Sequence, residues 1–272
     1  MLKLLRSAPI SAKIGISIVV FNILVAVFAP VISPFEETQV AGEVWEPFSD
    51  EFYIGTDHIG RDLFTRMAYG ARNTITLAFI TTFLSFIFGS FLGFIAAIKG
   101  KWVDQVLSRA VDIIMAFPTL IFALMVLSVL GSSLPVLVFT IALLDSTRVY
   151  RLSRAVAMDI EVMDFVEAAR LRGEGSWWIM TQEILPNALP PLIAEFGLRF
   201  CFVFLFIASL SFLGLGIQPP LADWGGMVRE NAGAITFGIY TPLIPAAAIA
   251  FLTVGVTLIV DWFLHLSSGL HD

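Results

Sequence analysis

Long apolar runs alternate with polar segments along this chain, and each run approaches the length that a membrane crossing requires. A hydrocarbon core about 30 Å thick is spanned by about 20 residues of α-helix. The pattern predicts an all-α polytopic membrane protein with six transmembrane helices, at residues 14–32, 74–98, 110–130, 134–145, 192–217 and 241–265. The fourth run is short, so we expect its helix to continue from Ser146 to Val156, beyond the membrane surface.

The first run has some features of a signal peptide. It follows a basic start and ends near Val27-Phe28-Ala29, which resembles a cleavage site. The run is about nineteen residues long, however, which is enough to span. Pro30 directly follows Ala29 and makes a poor cleavage context. We therefore expect an uncleaved first span.

Basic residues are distributed unevenly, and Lys and Arg concentrate on the cytoplasmic side of a membrane. With the N-terminus inside, four arginines fall outside: Arg61, Arg66, Arg72 and Arg229. Twelve basic residues fall inside or near the inner surface: Lys3, Arg6, Lys13, Lys99, Lys101, Arg109, Arg148, Arg151, Arg154, Arg170, Arg172 and Arg199. This favours an N-in, C-in arrangement. Residues 1–272 then form a single transmembrane domain with a periplasmic loop at 33–73 and a cytoplasmic loop at 148–191.

The composition agrees with a membrane location. Hydrophobic residues make up 58% of the chain and charged residues 14%, whereas soluble domains carry about a quarter charged residues. The net charge is −6 and the basic residues form no patch, so we expect no nucleic-acid partner. The single cysteine, Cys201, cannot form a disulfide within the chain.

Charged residues inside the predicted spans are few. Asp112, Glu195, Arg199 and Asp261 lie near the inner ends of their spans, where snorkelling or local pairing accounts for them. A carrier driven by protons or sodium needs a carboxylate near the midplane of the membrane. The spans therefore do not predict a carrier driven by protons or sodium, and we expect any driving force to come from another chain.

The chain also lacks the motifs of an ATPase or a hydrolase. Gly100-Lys101 is followed by Trp102, which does not fit the phosphate-binding pattern G-x-x-x-x-G-K-[ST]. His58, His265 and His271 lie far apart in the sequence, so the histidines predict no metal site. We expect no catalytic residues and no cofactor in this chain.

The inner polar segment has the pattern of two short helices joined by a turn. Asp164 and Glu167 have the spacing of a helix cap, which predicts a helix at 165–172 followed by a left-handed residue at Gly173. Ser176 is expected to cap a second helix, which later prolines should end: Pro186, Pro190 and Pro191. The residues alone leave two interpretations open, a rigid docking knob or an amphipathic loop that covers the bundle.

This segment resembles the EAA loop of binding-protein-dependent ABC importer permeases. In that family the loop forms a coupling helix that docks on a cytoplasmic ATPase. The resemblance implies six coupling residues here: Glu167, Ala168, Ala169, Gly173, Leu185 and Pro186. Three neighbours depart from the common pattern, which leaves open the face of the ATPase that is used. Glu183 stands where the group often has His, and Arg172 and Glu174 flank Gly173.

Other stretches resemble the dipeptide, oligopeptide and nickel group of the family. They are IGTDHIGRDLFTR at 54–66 with YGAR at 69–72, DIIMAFP at 112–118, and SFLGLG at 211–216 followed by Pro219-Pro220 and DWG at 223–225. Together they cover nearly the whole chain. Its length and long outer loop resemble the C-type permease of a heteromeric pair.

The outer stretch at 54–62 predicts a compact turn in which Asp57 bonds the backbone and Arg61 pairs with Asp62. Candidates for contact with a binding protein, or for bracing an outer gate, are Gly55, Thr56, Asp57, Gly60, Arg61, Asp62 and Trp224. The alternatives are a folded cap that fixes the second span, which we prefer for the turn, and an interfacial anchor for Trp224.

The resemblance implies a type I ABC importer permease in the bacterial inner membrane. Its implied partners are a second homologous permease, two cytoplasmic ATPase subunits that hold ATP and Mg, an extracytoplasmic solute-binding protein and membrane lipid. The favoured cargo is a di- or oligopeptide, with nickel, glutathione or an opine as alternatives. One rival class is a secondary carrier or channel, which predicts a carboxylate near the midplane and no inner docking helix. A second is a non-transporting membrane scaffold or membrane enzyme, which needs a catalytic cluster or a large partner domain.

Overall fold

The structure is a computed structural model that describes residues 8–267, and within this range the regular elements are helices. They are α1 (Ile10–Ile32), α2 (Leu63–Lys99), α3 (Lys101–Met115), α4 (Thr119–Leu130), α5 (Leu134–Glu161), α6 (Asp164–Leu171), α7 (Ser176–Phe212), α8 (Trp224–Asn231) and α9 (Leu243–Ser267). Lys3, Arg6 and His271, which entered the predictions above, lie outside the described residues.

Four helices in this range are long and apolar enough to cross a membrane: α1, α2, α7 and α9. A fifth span results if α3 and α4 are counted together, although they are bent by 85° at their junction. Pro118 explains the break, because a proline disfavours helical geometry in the residue before it. α5 carries Asp145, Arg148 and Arg151 in its middle turns, and its composition alone does not mark it as a span. An all-helical membrane fold is therefore confirmed, whereas the number six and the orientation stay predictions.

The centre of the fold is the packing of α2 against α5, α7 and the outer helix α8. Gly89 of α2 allows close approach, since a Cβ there would lie 2.6 Å from the Cβ of Val149 on α5. α1 and α9 pack against each other and α1 also packs on α2, so both lie on one side of the bundle. Large side chains that are fully buried in the core include Leu127, Leu137, Ile141, Phe204, Ile207 and Leu210.

The structure confirms that the fourth apolar run continues as helix beyond Ser146, because α5 is unbroken to Glu161. Asp145 therefore lies inside a helix of 28 residues and not at its membrane end. The prediction that prolines end the second inner helix is wrong. α7 passes through Pro186, Pro190 and Pro191, and a π-helical stretch at Ile179–Ile184 precedes the first of them. Such a wide turn is one way in which a helix adapts to a proline without an N–H group.

Candidate functional site

The inner segment between α5 and α7 contains α6 and the EAA residues. α6 begins at Asp164 with Met163 as its N-cap, and the Met163 carbonyl accepts the backbone N–H groups of Val166 and Glu167 at 3.0 and 3.3 Å. No side chain caps this helix, so the predicted Asp164 and Glu167 cap is wrong. Ser176 is likewise the first residue of α7 and does not cap it through its side chain.

The end of α6 is a well-formed Schellman turn. Gly173 has a φ of 86°, in agreement with the left-handed conformation predicted for it. The Gly173 N–H donates to the Arg170 carbonyl at 2.9 Å, and the Glu174 N–H donates to the Ala169 carbonyl at 3.2 Å. These two bonds satisfy carbonyls that the helix end would otherwise leave open. The turn therefore fixes the direction in which the chain leaves α6.

The two faces of α6 differ in burial. Val166 and Ala169 are completely buried and pack in an apolar cluster with side chains from α2, α5 and α7. Glu167, Ala168 and Gly173 are exposed, as are Leu185 and Pro186 at the far end of the segment. Of the six predicted coupling residues, Ala169 therefore anchors α6 to the bundle, and the other five remain accessible.

Apolar side chains also lie on the exposed surface of this segment. Val162 and Leu171 are 79% and 83% exposed at the two ends of α6. Met163 and Phe165 are about half-exposed beside them. Sequence analysis did not single out these residues, because an isolated apolar residue in a polar loop predicts burial as readily as exposure. Exposed apolar groups of this kind are typical of a protein interface.

Two of the three departures from the family pattern contact each other. Arg172, after α6, places Nη2 3.8 Å from Oε1 of Glu183 on α7, and its guanidinium lies over the ring of Trp178 at 5.5 Å. Arg170 pairs with Glu161 at the end of α5. The segment is thus tied to both flanking helices by charged side chains, and the docking knob is favoured over a loose covering loop.

The seven predicted outer residues are all buried: Gly55, Thr56, Asp57, Gly60, Arg61, Asp62 and Trp224. Gly60 is required by close packing, since a Cβ there would lie 2.1 Å from the Gly42 carbonyl oxygen, and its φ is 84°. Thr56 accepts the Glu46 N–H at 2.7 Å through its hydroxyl. Burial of these side chains supports the folded cap. It leaves them no surface for direct contact with a binding protein.

Ion pairs hold the cap, but not the pair predicted from the sequence. Arg61 does not pair with Asp62, which instead caps α2 by accepting the Thr65 N–H at 2.7 Å. Arg61 donates through Nε to Asp57 at 2.7 Å and lies 3.0 Å from Glu230 on α8. Arg66 of α2 reaches the same two carboxylates, at 3.3 and 3.2 Å.

Asp57, His58 and Glu230 bring three possible metal-ligand atoms within 4.8 Å of one another. This was not expected, since Glu230 is far from the other two in sequence. The carboxylate oxygens concerned are already paired with the guanidinium groups of Arg61 and Arg66. Two fixed positive charges oppose the binding of a cation at this point. The cluster is therefore better described as a structural ion-pair network.

Residues that the sequence analysis missed join the cap to α8. The Asn231 carboxamide accepts the His58 N–H at 3.0 Å and the Trp45 indole N–H at 3.2 Å, and it donates to the Met227 carbonyl at 2.9 Å. His58 and Trp45 are both more than 170 positions away from Asn231 in the chain. No local sequence signal could have identified this asparagine.

Asp223 and Trp224 fix the start of α8. The Asp223 carboxylate accepts the Gly226 N–H at 3.1 Å and caps the helix, and burial raises the pKa of Asp223 to about 6. Trp224 is 2% exposed and donates its indole N–H to the Met67 carbonyl at 3.0 Å. The anchor interpretation of Trp224 is therefore wrong, because the side chain is a core residue between α2 and α7.

Comparisons with known proteins agree with the resemblance. Residues 89–268 match the family described as "Binding-protein-dependent transport system inner membrane component". The dipeptide transport system permease protein DppC of Alkalihalophilus pseudofirmus is 36% identical over 92% of this chain and 83% of its own length. The DppC protein of Haemophilus influenzae is 33% identical over 92% of this chain and 87% of its own.

More distant relatives extend the comparison. The glutathione transport system permease protein GsiD of Pectobacterium atrosepticum is 31% identical over 76% of this chain and 68% of its own. A solved amino acid ABC transporter with histidines has a TM-score of 0.54 and 22% identity, covering 73% of this chain and 92% of its own, and it supports the fold. The chain thus belongs to the family of binding-protein-dependent transport system inner membrane components, as a non-enzymatic, multi-pass permease subunit of an ABC importer in the bacterial inner membrane.

Proposed function

We propose that this chain is one of two homologous permeases that together import di- or oligopeptides. Two cytoplasmic ATPase subunits would hold ATP and Mg, and an extracytoplasmic solute-binding protein would deliver the cargo. Six spans with both termini inside complete the proposal, with α5 as the fourth and the bent α3–α4 pair as the third. The relatives named dipeptide permeases support the cargo, and the family supports the ATPase and the binding protein.

The inner segment carries the proposal. The Schellman turn at Gly173 and the contact of Arg172 with Glu183 fix the orientation of this segment relative to α7. It exposes Val162 and Leu171, which are costly to leave in water on a finished surface. A rigid, partly apolar projection at the inner end of the bundle suits the transmission of ATPase closure to α5 and α7.

Cysteine crosslinking tests this docking surface directly. In a Cys201→Ser background, Ala168→Cys is expected to form a crosslink with an ATPase subunit in the purified complex. Ala169→Cys is the matched control, because Ala169 is adjacent in sequence but is fully buried against the bundle. Equal crosslinking at both positions, or at neither, would contradict docking through the exposed face of α6.

Co-purification and cargo screening test the remaining parts. A tagged chain extracted in mild detergent should bring a second permease and one or two ATPases, identified by mass spectrometry. The binding protein found with them is then screened against dipeptides, glutathione and nickel. Glutathione is the specific alternative, since a glutathione permease is among the relatives. A chain that purifies alone would contradict the proposed assembly.

For the outer residues we propose a bracing role. The cap at 33–62 and α8 would move as one body during gating, because the Asp57, Arg61, Arg66 and Glu230 ion pairs join them. A binding protein would then dock on exposed parts of the cap. Deleting these ion pairs should impair transport without abolishing the affinity of the binding protein for its cargo.

A further inference from the structure

A group of charged side chains lies deep within the bundle, between α5 and α7. Asp145 is 11 residues from the outer end of α5, and Arg199 is 13 residues from the outer end of α7. At about 1.5 Å per residue these positions are about 16 and 20 Å along their helices. With α5 and α7 as the fourth and fifth spans proposed above, Arg199 does not lie in a peripheral turn and Asp145 is an intramembrane carboxylate, contrary to the expectation from the sequence.

The group contains two anions and two cations. Asp145 is 2% exposed, and its Oδ2 accepts the Ser85 hydroxyl at 2.7 Å. Its Oδ1 is buried without a hydrogen bond among the described residues, 3.6 Å from Nη1 of Arg199 and 3.9 Å from Nη1 of Arg148. Arg199 donates through Nε to Glu195 at 2.7 Å.

Arg148 is the least satisfied member of the group. Its Nη1 has no hydrogen-bond partner within the part of the chain that the structure describes, and its Nη2 lies 3.5 Å from the Thr119 hydroxyl, at the limit for a hydrogen bond. The guanidinium stacks at 4.5 Å over Phe202, and its side chain is 31% exposed. A guanidinium carries five N–H donors. Because Nη1 is buried beside Asp145, a further anion would be bound by the donors on Nε and Nη2.

The surface on which the group opens cannot face lipid. Arg148, Arg199 and Glu195 are each partly exposed on this chain, between 19% and 31%. Charged groups at such depth face the interior of a bundle or a water-filled cavity, because lipid cannot solvate them. Over its outer turns the opposite face of α5 is apolar, as the exposed Phe139 and Leu143 illustrate. At 100° per residue, Phe139 points away from Arg148 by 180°.

We propose that this face of α5 and α7 lines the translocation path and that Arg148 binds the carboxylate end of a zwitterionic solute there. The amino group of the same solute would replace Arg199 as the partner of Glu195, which pairs with Arg199 in this structure. The assignment rests on the proposed peptide cargo for the identity of the solute. The accessibility of this face to water and its preference for anions do not depend on the identity of the cargo, and they are tested separately.

Charge-selective thiol labelling of the assembled importer tests that character. In a Cys201→Ala background, Phe202→Cys places a thiol beneath Arg148. We expect it to react with water-soluble methanethiosulfonates in at least one of the ATP-free and vanadate-trapped states, and faster with the sulfonate than with the trimethylammonium form. Adding Arg148→Gln should lower this rate ratio about fivefold or more, since one charge at about 4 Å is worth about 1 kcal/mol even in water.

Two controls define the outcome. Phe139→Cys, on the opposite face of α5, should stay unreactive, and Arg109→Gln, an exposed arginine outside the group, should leave the ratio unchanged. The proposal is overturned if Phe202→Cys is unreactive in both states, or if the ratio does not depend on Arg148. Mass spectrometry of the co-purified ATPases verifies that every variant is assembled.

Uptake of labelled dialanine by the reconstituted importer then tests the solute. Arg148→Gln is expected to lower uptake roughly tenfold or more, as loss of a charged hydrogen bond does, with Arg148→Lys intermediate and Arg109→Gln unaffected. Unchanged uptake in Arg148→Gln would overturn the role of Arg148. Absence of dialanine uptake by the unmodified importer would instead exclude this dipeptide as cargo, and the labelling ratio would still decide whether the face lines the path.

Discussion

Replacing Gly173 by valine should uncouple ATP hydrolysis from transport. Gly173 has a φ of 86°, where a side chain is strained and a β-branched one most of all. A Cβ at this position would meet nothing within 4 Å, so the substitution acts through the backbone and not through a clash. Valine should shift the turn toward negative φ and open the two hydrogen bonds that end α6.

The expected magnitude follows from the conformation. The left-handed region costs a residue with a Cβ about 1–2 kcal/mol. A free energy of that size changes a two-state population by a factor of about 5–30. We therefore expect the population of the closed turn to fall by up to this factor. The amount of solute taken up per ATP hydrolysed should fall with it. Gly173→Asn should have a smaller effect, because asparagine tolerates left-handed geometry.

The assay compares uptake and ATP hydrolysis in the same proteoliposomes, with the binding protein present. Gly175→Val is the matched control, since Gly175 lies in the same turn with φ −79° and ψ 162°, an extended conformation that valine adopts readily. Its Cβ would also meet open space. The reasoning fails if Gly173→Val couples normally, or if Gly175→Val is equally damaging while both complexes assemble.

Three further substitutions test the outer half of the chain. Asp223→Asn keeps the cap of α8 and removes a buried charge. The pKa of Asp223 is raised from 3.8 to about 6, so the native carboxylate costs stability that grows as pH rises through this interval. In thermal unfolding the variant should therefore be stabilised by up to about 3 kcal/mol at pH 8 and little at pH 4. Glu230→Gln leaves two buried guanidinium groups with one carboxylate and should cost about 3 kcal/mol or more in unfolding assays, unlike the exposed Glu51→Gln. Gly225→Ala would place a Cβ 2.2 Å from a carbonyl oxygen of α7 and should lower the melting temperature through about 1–3 kcal/mol of overpacking, whereas Gly233→Ala, with open space, should not.

Local patterns predicted the inner segment in outline and failed at its details. The left-handed Gly173 follows from the residue type, because few other residues take that conformation. The caps at Asp164 and Ser176 fail because each residue is the first of its helix and does not stand before it. α6 starts from Met163, whose backbone carbonyl accepts the N–H groups of Val166 and Glu167. The prolines do not end α7, because the helix widens into a π-helical stretch just before the first of them.

The sequence by itself determined the membrane location, the helical class and the family, because span length, low charge and short motifs are local properties of the chain. Only the tertiary structure decided which charges meet. Asp145 and Arg199 approach each other, and Asp57 approaches Glu230, although each pair is far apart in the chain. Their partners depend on which helix faces pack together, and a low-dielectric interior makes such pairing obligatory. For that reason the ion pairs that join the outer cap to α8, and the deep charged group, became visible only in the folded protein.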